Sequence, residues 1–404
     1  MSVPPIIKND PWLKPYEYAI LGRLHRVRER EYELIKDSVT LTNFANGHRF
    51  FGIFKQEKQW VLREWAPNAS HIYIVGDFSG WKEHEDFAFE NKGAFWQLVL
   101  PLDKLKHLDL YKLSVKWPGG SGERIPAWST RVVQDQNTKL FTAQVWDPPK
   151  SYKWKYPKWE RNFNNPLIYE SHVGMATEEY KVGSFSEYTK KVLPMIKNAG
   201  YNTVQLMAIQ EHPYYGSFGY HVSSFFAVSS RFGTPEELKE LIDTAHGLGM
   251  AVIMDIVHSH AVKNEIEGLG RYDGTEYQFF HAGPRGNHSA WDSKCFNYGK
   301  NEVLHFLLSN CKYWLEEYNF DGFRFDGVTS MLYYDHGLGR DFNSYDRYYD
   351  GVEDDDAIVY LTLANKLIHE FKPSAITIAE DMSGMPGLAA PIEYGGYGFD
   401  YRLS

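Results

Sequence analysis

Two charged residues interrupt an apolar stretch at positions 321–330, Asp-Gly-Phe-Arg-Phe-Asp-Gly-Val-Thr-Ser. A short run rich in aromatic residues, placed after a segment with helical spacing, predicts a buried strand of an α/β fold. Arg324 and Asp326 are residue types that are seldom buried unless paired. They therefore indicate either a ligand site at the carboxyl end of the strand or a structural ion pair on one strand face.

Two other predicted strands also end in charged residues. The strand at 251–257 ends in one acid followed by two histidines, and the strand at 375–380 ends in two acids. These residues are Asp255, His258, His260, Glu380 and Asp381. Because the carboxyl ends of parallel strands converge on one face, we expect several of these side chains to surround a common ligand. Structural ion pairs would have no reason to prefer that end.

The pattern of predicted elements changes along the chain. A helical segment at 1–40 is followed by short strand-like runs with turn clusters at 41–150, which predict a β-sandwich. From 151 to 404, strands and helices alternate, with a loop insertion at about 258–300. The predicted strands are 167–173, 202–207, 251–257, 321–330 and 375–380. Five β-then-α units indicate a parallel sheet, either open and doubly wound or closed as an eight-stranded barrel.

Composition excludes several classes of protein. With 43% hydrophobic and 24% charged residues the chain is globular, and its net charge of −9 without a basic stripe argues against a nucleic-acid partner. Two cysteines, Cys295 and Cys311, are too few for a disulfide framework and indicate a reducing compartment. No run has the length of a signal peptide core or a membrane span, so we expect a soluble cytoplasmic protein with no membrane partner.

A cluster of carboxylates with histidine has two common uses. One is to bind a divalent metal, but Asp255, His258 and His260 lack the spacing of zinc motifs, and Arg324 would oppose a cation. The other is glycosyl transfer, in which one carboxylate attacks the sugar and a second acts as acid and then as base. In that chemistry the arginine would keep the nucleophile ionised. We favour glycosyl transfer and expect neither a metal nor a cofactor.

Three motifs resemble the first three signature regions of the α-amylase superfamily of glycoside hydrolases and transglycosylases. They are Asp-Ile-Val-His-Ser-His at 255–260, Gly-Phe-Arg-Phe-Asp at 322–326 and Ala-Glu-Asp-Met-Ser-Gly at 379–384. Within the superfamily the chain is most similar to the 1,4-α-glucan (glycogen or starch) branching enzymes, through the segments 169–175, 211–220, 283–286 and 326–331. The β-region resembles their carbohydrate-binding module, with Trp-Ala-Pro at 65–67 and Gly-Asp-Phe-Ser-Gly-Trp at 76–81.

The resemblance implies a β-sandwich module followed by a (β/α)8 TIM-type barrel. It also implies a reaction: cleavage of an α-1,4 link, a glycosyl-enzyme intermediate, and transfer to a 6-hydroxyl of an α-glucan such as glycogen, amylose or amylopectin. Carried over by motif, the roles are nucleophile for Asp326, general acid/base for Glu380, support of the nucleophile for Arg324, hydroxyl binding for Asp255 and His260, and stacking for Tyr220. His258 is expected to be structural, and Tyr220 could also be ordinary core packing.

One departure from the superfamily pattern concerns the end of the barrel. The fourth signature region, a His-Asp pair, does not occur after Glu380. The strand starts at 167 and 375 are four units apart, which is 52 residues a unit, so eight units would need about 416 residues where 238 remain. We therefore expect an incomplete barrel of five or six strands, a fragment with weak or no activity. The alternatives are a non-catalytic glucan-binding protein and an α-glucan hydrolase or debranching enzyme.

Overall fold

The computed structural model describes residues 3–36 and 39–404, which divide into two compact units. The first unit combines the described part of Met1–Asn46 with Ile253–Ser259 and Asn297–Ser404, and the second combines Gly47–Val252 with His260–Phe296. None of the helices formed by these described residues has the length and hydropathy needed to span a membrane.

The chain begins with three helices that belong to the first unit. They are α1 (Pro5–Asn9), α2 (Glu17–Ile35) and α3 (Leu41–Phe44), with a 3-10 turn at Pro11–Tyr16. Helix α2 buries Ile20, Leu24 and Val27, as their helical spacing predicts, and it also buries Arg23.

The predicted β-sandwich is confirmed as two antiparallel sheets of the second unit. The strands are β1 (Gly52–Lys55), β2 (Gln59–Glu64), β3 (His71–Gly76), β4 (Glu90–Asn91), β5 (Trp96–Pro101), β6 (Leu110–Trp117), β7 (Gly120–Arg124), β8 (Val132–Gln134) and β9 (Phe141–Gln144). One sheet has the order β1-β2-β5-β4, and the other has the order β3-β6-β9-β8 with β7 paired to β6. In β5, buried Trp96, Leu98 and Leu100 alternate with more exposed residues, as expected for one face against a core. The domain limits at 40 and 150 stay predictions.

The second unit continues with the first alternating elements. They are β10 (Ile168–Ser171), α4 (Phe185–Glu187), α5 (Leu193–Asn198), β11 (Thr203–Leu206), β12 (Gln210–Glu211), β13 (Ser224–Val228) and α6 (Pro235–Gly247). Strands β10 and β11 pair in parallel. Helices α4 and α6 each begin with a capping box, Ser184 with Glu187 and Thr234 with Glu237. A π-helical turn at Tyr188–Val192 separates α4 from α5, a detail that the helical spacing did not predict.

The predicted long excursion after β14 (Ala251–Ile256) is not wholly irregular. It holds a small antiparallel sheet of β15 (Ala261–Val262), β16 (Asn287–His288) and β17 (Ser293–Lys294). The excursion therefore contains an inserted substructure rather than a bare loop.

The remaining elements complete the first unit. They are α7 (Asn301–Tyr318), β18 (Gly322–Phe325), α8 (Val328–Leu332), α9 (Asp355–Phe371), β19 (Ile376–Glu380) and β20 (Tyr401–Leu403). Strands β14, β18, β19 and β20 pair in parallel in that order. With β10 and β11, the described residues form six parallel strands, which confirms the expected incomplete (β/α)8 barrel. All three residues of β20 are exposed.

The strand predicted at 321–330 is shorter than its apolar pattern. It ends at Phe325 because Gly327 adopts a left-handed conformation, φ 65°, and α8 starts at Val328. At its start, Gly322 has φ 140°, and a Cβ there would lie 1.9 Å from the Ile376 carbonyl oxygen. Only glycine allows β18 to approach β19 at this point.

Candidate active site

The guanidinium of Arg324 joins three carboxylates at the ends of three neighbouring strands. Its Nη1 lies 2.9 Å from Asp255 Oδ2 and 3.1 Å from Asp326 Oδ1, and its Nη2 lies 2.9 Å from Glu380 Oε1. The register explains the meeting, since Asp255 pairs with Arg324 across β14 and β18, and Glu380 ends β19. The first unit thus brings together four of the six predicted site residues.

The charges of this cluster do not balance. One buried guanidinium faces three carboxylates, and the Asp255 side chain has no exposed surface. Burial, and secondly the charge of Glu380, raise the pKa of Asp326 to about 7 although Arg324 acts to lower it. Arg324 acts on Asp326 in the expected direction, but burial and the charge of Glu380 outweigh it, so the Asp326 carboxyl takes up or releases a proton near pH 7.

Both carboxylate oxygens of Glu380 have polar partners. Oε1 forms the ion pair with Arg324, and Oε2 accepts a hydrogen bond from the backbone nitrogen of Gly327 at 2.8 Å. Gly327 follows Asp326 directly, so the turn after β18 also orients the carboxylate at the end of β19. Sequence reasoning missed this role, since a backbone donor leaves no signature beyond the glycine itself.

Asp381 points away from the Arg324 cluster, as successive residues of an extended chain do. Its fully buried carboxylate accepts from Thr329 Oγ1 (2.8 Å), Ser383 Oγ (2.6 Å), the backbone nitrogen of Gly384 (2.8 Å) and Arg402 Nε (3.0 Å). Asp381 is therefore not one of the side chains that meet at Arg324. It instead anchors the turn that follows Glu380, a role that the Ser-Gly sequence of that turn could have suggested.

His258 is structural, as expected. It is buried, and its ring nitrogens contact Tyr360 Oη at 2.5 Å and Asn310 Oδ1 at 2.9 Å. Burial lowers the pKa of His258 to about 4, so the ring is neutral at physiological pH. Over residues 3–36 and 39–404, the structure shows no group of three or more His, Cys, Asp or Glu side chains suited to hold a metal ion.

The two other predicted site residues belong to the second unit. His260 is buried beside Trp291, with ring centroids 4.9 Å apart, and burial lowers its pKa to about 3. Its Nδ1 has no hydrogen-bond partner within the described chain. Tyr220 is half-buried and follows the 3-10 turn Tyr215–Ser217. Their roles in substrate binding stay predictions.

Two family models match the chain. Residues 174–284 match the model described as alpha amylase, catalytic domain, and residues 50–136 match carbohydrate-binding module 48, the isoamylase N-terminal domain. The second match falls on the β-sandwich.

Curated proteins named 1,4-alpha-glucan-branching enzyme match almost the whole chain. Those of Rhizophagus irregularis and Dictyostelium discoideum are 47% and 46% identical over 99% of this chain, and that of Solanum tuberosum is 48% identical. The chain spans 60%, 59% and 48% of the lengths of these three relatives.

Solved structures with the same fold are more distant in sequence. A putative alpha amylase from Salmonella typhimurium superposes with a TM-score of 0.63 at 22% identity, over 82% of this chain and 50% of that one. A pullulanase from Bacillus acidopullulyticus superposes with a TM-score of 0.64 at 18% identity, over 82% and 41%. At such identities the likeness concerns the fold alone.

Proposed function

We propose that this chain belongs to the 1,4-α-glucan-branching enzymes of the α-amylase superfamily, and that the protein makes α-1,6 branches in an α-glucan. It cleaves an α-1,4 link and transfers the released oligosaccharide to a 6-hydroxyl of glycogen, amylose or amylopectin. The observation that supports this most is the contact of one guanidinium, Arg324, with both Asp326 and Glu380. We also propose that the protein is cytoplasmic, because its two cysteines are too few for a disulfide framework.

In the first step Asp326 attacks the anomeric carbon while Glu380 donates a proton to the leaving 4-oxygen. The bond from C1 to that oxygen breaks, and a bond from C1 to an Asp326 oxygen forms with inverted configuration. The step needs Asp326 ionised and Glu380 protonated. Burial and the charge of Glu380 raise the pKa of Asp326 to about 7, so near neutral pH the cluster can hold the one proton that the step needs. That proton must stand on Glu380 before Asp326 attacks.

In the second step Glu380, now ionised, takes the proton of an acceptor 6-hydroxyl as its oxygen attacks C1. The bond from C1 to Asp326 breaks, so two inversions leave the α configuration retained. Water would be a competing acceptor. Arg324 stabilises the Asp326 carboxylate as it leaves, through the contact at 3.1 Å.

We assign the binding of sugar hydroxyls to Asp255 and His260, and stacking on the sugar to Tyr220. For Asp255, the assignment is supported by the position of its carboxylate next to Arg324. For His260, it is supported by Nδ1, which has no hydrogen-bond partner among the described residues. A buried neutral imidazole can donate to, or accept from, a hydroxyl.

A second candidate, glucan binding without catalysis, is favoured by the match of residues 50–136 to a carbohydrate-binding module. The test is an amylose assay that measures iodine colour and reducing ends together, on the whole protein that carries this chain and on its Asp326→Asn and Glu380→Gln variants. Branching lowers iodine colour with few new reducing ends, and both variants should abolish it. Many new reducing ends would identify a hydrolase. Glycogen binding with unchanged iodine colour would identify the non-catalytic alternative.

A further inference from the structure

The N-terminal segment, residues 3–35, packs on two loops of the first unit. The first loop, residues 333–354, follows α8, and the second loop, residues 381–400, directly follows Glu380. We infer that the N-terminal segment positions the second loop, and with it Glu380, in the reaction proposed above. The inference rests on that proposed function for its meaning in catalysis, although its structural part can be tested alone.

Tyr16 contacts the first loop through its ring. It stacks on Tyr349 with ring centroids 4.7 Å apart and 21° between the planes, and it lies 6.4 Å from the Tyr345 ring. The Tyr345 hydroxyl in turn donates to Asp10 Oδ2 at 2.5 Å. Beneath these contacts Ile7, Leu13 and Ile20 form a buried cluster against which Tyr345 and Tyr349 pack. The stacking geometry of three tyrosines fixes the first loop against the segment.

Arg23 and Ile6 contact the second loop. The Arg23 guanidinium donates to the Gly395 carbonyl and lies 3.9 Å from the centre of the Tyr397 ring. A Cβ at Gly387 would meet the Ile6 side chain at 2.4 Å, so the absence of a side chain there lets the segment approach. The loop is thus shaped to receive this segment.

A short series of contacts connects the two loops to Glu380. The Tyr348 hydroxyl, in the first loop, donates to the Ser383 carbonyl at 2.9 Å. Ser383 donates two hydrogen bonds to Asp381 Oδ1, one from its backbone nitrogen (3.0 Å) and one from its hydroxyl (2.6 Å). Asp381 is the next residue after Glu380. Greater mobility of the first loop would therefore also increase the mobility of the turn after Glu380, and the Glu380 carboxylate would be held less firmly.

The hydrogen bond from the Gly327 nitrogen to Glu380 Oε2 forms only when the Glu380 carboxylate has this orientation, so its stability can be used to measure that orientation. We would measure hydrogen exchange of the Gly327 amide by NMR in the full chain labelled with 15N-glycine. Glu380→Ala removes the acceptor and gives the unprotected rate. The Gly76 amide, in the second unit, serves as the reference for general destabilisation.

Three variants test the segment. Tyr16→Ala removes the stacked ring and should raise the Gly327 exchange rate by about tenfold. Tyr16→Phe keeps the stacked ring but removes the hydrogen bond from the Tyr16 hydroxyl to Asp346 Oδ1 (2.5 Å), so it should raise the rate less than Tyr16→Ala does. Tyr18→Ala is the matched control, since Tyr18 lies on the same segment and is 91% exposed, and it should also leave the rate unchanged. In the amylose assay Tyr16→Ala should lower kcat by about tenfold at unchanged KM, because a misplaced acid costs turnover rather than binding.

The outcomes separate this inference from the proposed function. Absence of branching activity from the whole protein that carries this chain would refute the proposed function, while the Gly327 exchange rates would still decide the positioning. Parent-like exchange in Tyr16→Ala, or equal acceleration in Tyr18→Ala or at Gly76, would overturn the inference. Faster Gly327 exchange in Tyr16→Ala with unchanged kcat in an active chain would also overturn it, because the segment would then have no effect on the reaction.

Discussion

Glu64 should make the stability of this protein depend on pH. Its side chain, at the end of β2, is 1% exposed and accepts three hydrogen bonds. The donors are the Tyr272 hydroxyl (2.9 Å), the Ala127 nitrogen (3.1 Å) and the Trp65 nitrogen (2.9 Å). Burial nevertheless outweighs these donors and raises the pKa of Glu64 from 4.5 to about 7.

The sign and size follow from proton linkage. Between pH 4.5 and about 7 the folded chain keeps the Glu64 proton while the unfolded chain has lost it, so raising the pH destabilises the folded state. A pKa difference of about 2.5, at about 1.4 kcal/mol per pKa unit, amounts to about 3 kcal/mol over the whole window. Between pH 5 and pH 8 the expected loss is about 2 to 3 kcal/mol.

Glu64→Gln removes the titration. The amide oxygen can still accept from Tyr272 and Ala127, while its NH2 group faces the Trp65 nitrogen, which costs a constant amount at every pH. Urea unfolding at pH 5 and pH 8, followed by tryptophan fluorescence, should give a parent-minus-variant difference in unfolding free energy that falls by about 2 to 3 kcal/mol. Glu57→Gln, at an exposed position, is the control and should show no such fall. Equal pH dependence of the parent and Glu64→Gln would refute the reasoning.

Two further substitutions test the strand ends. Gly322→Ala places a Cβ 1.9 Å from the Ile376 carbonyl oxygen at φ 140°, and should lower the free energy of unfolding by about 3 kcal/mol. Gly80→Ala, where the Cβ would meet nothing within 4 Å, isolates the cost of a positive φ, and an equal loss in both would contradict the clash. Arg324→Gln leaves buried carboxylates without their cation, and should cost about 3 to 5 kcal/mol in urea unfolding. It should also raise the pKa of Asp326 further above 7, which carboxyl 13C NMR can measure, and an unchanged pKa would show that Arg324 does not act on Asp326.

Local sequence patterns predicted the elements that hold the site. The helical spacing in α2 and the strands ending in Asp255 and Glu380 are confirmed, because each depends on residues close in sequence. The length of β18 was overestimated, because an apolar run does not show where a strand ends and the buried helix after it begins. The burial of Glu64 could not be predicted from the sequence, since an acid at the end of an alternating strand is usually exposed.

The sequence alone determined which residues end each parallel strand, and hence that Asp255, Arg324, Asp326 and Glu380 would be near one another. The reason is that the carboxyl ends of parallel strands share one edge, whatever the rest of the chain does. Only the tertiary structure decided that Gly327 donates to Glu380, that Asp381 turns to Arg402, and that Tyr16 packs on Tyr349. These contacts depend on backbone direction at single residues and on pairs far apart in the chain, and neither is encoded in the local spacing of residue types.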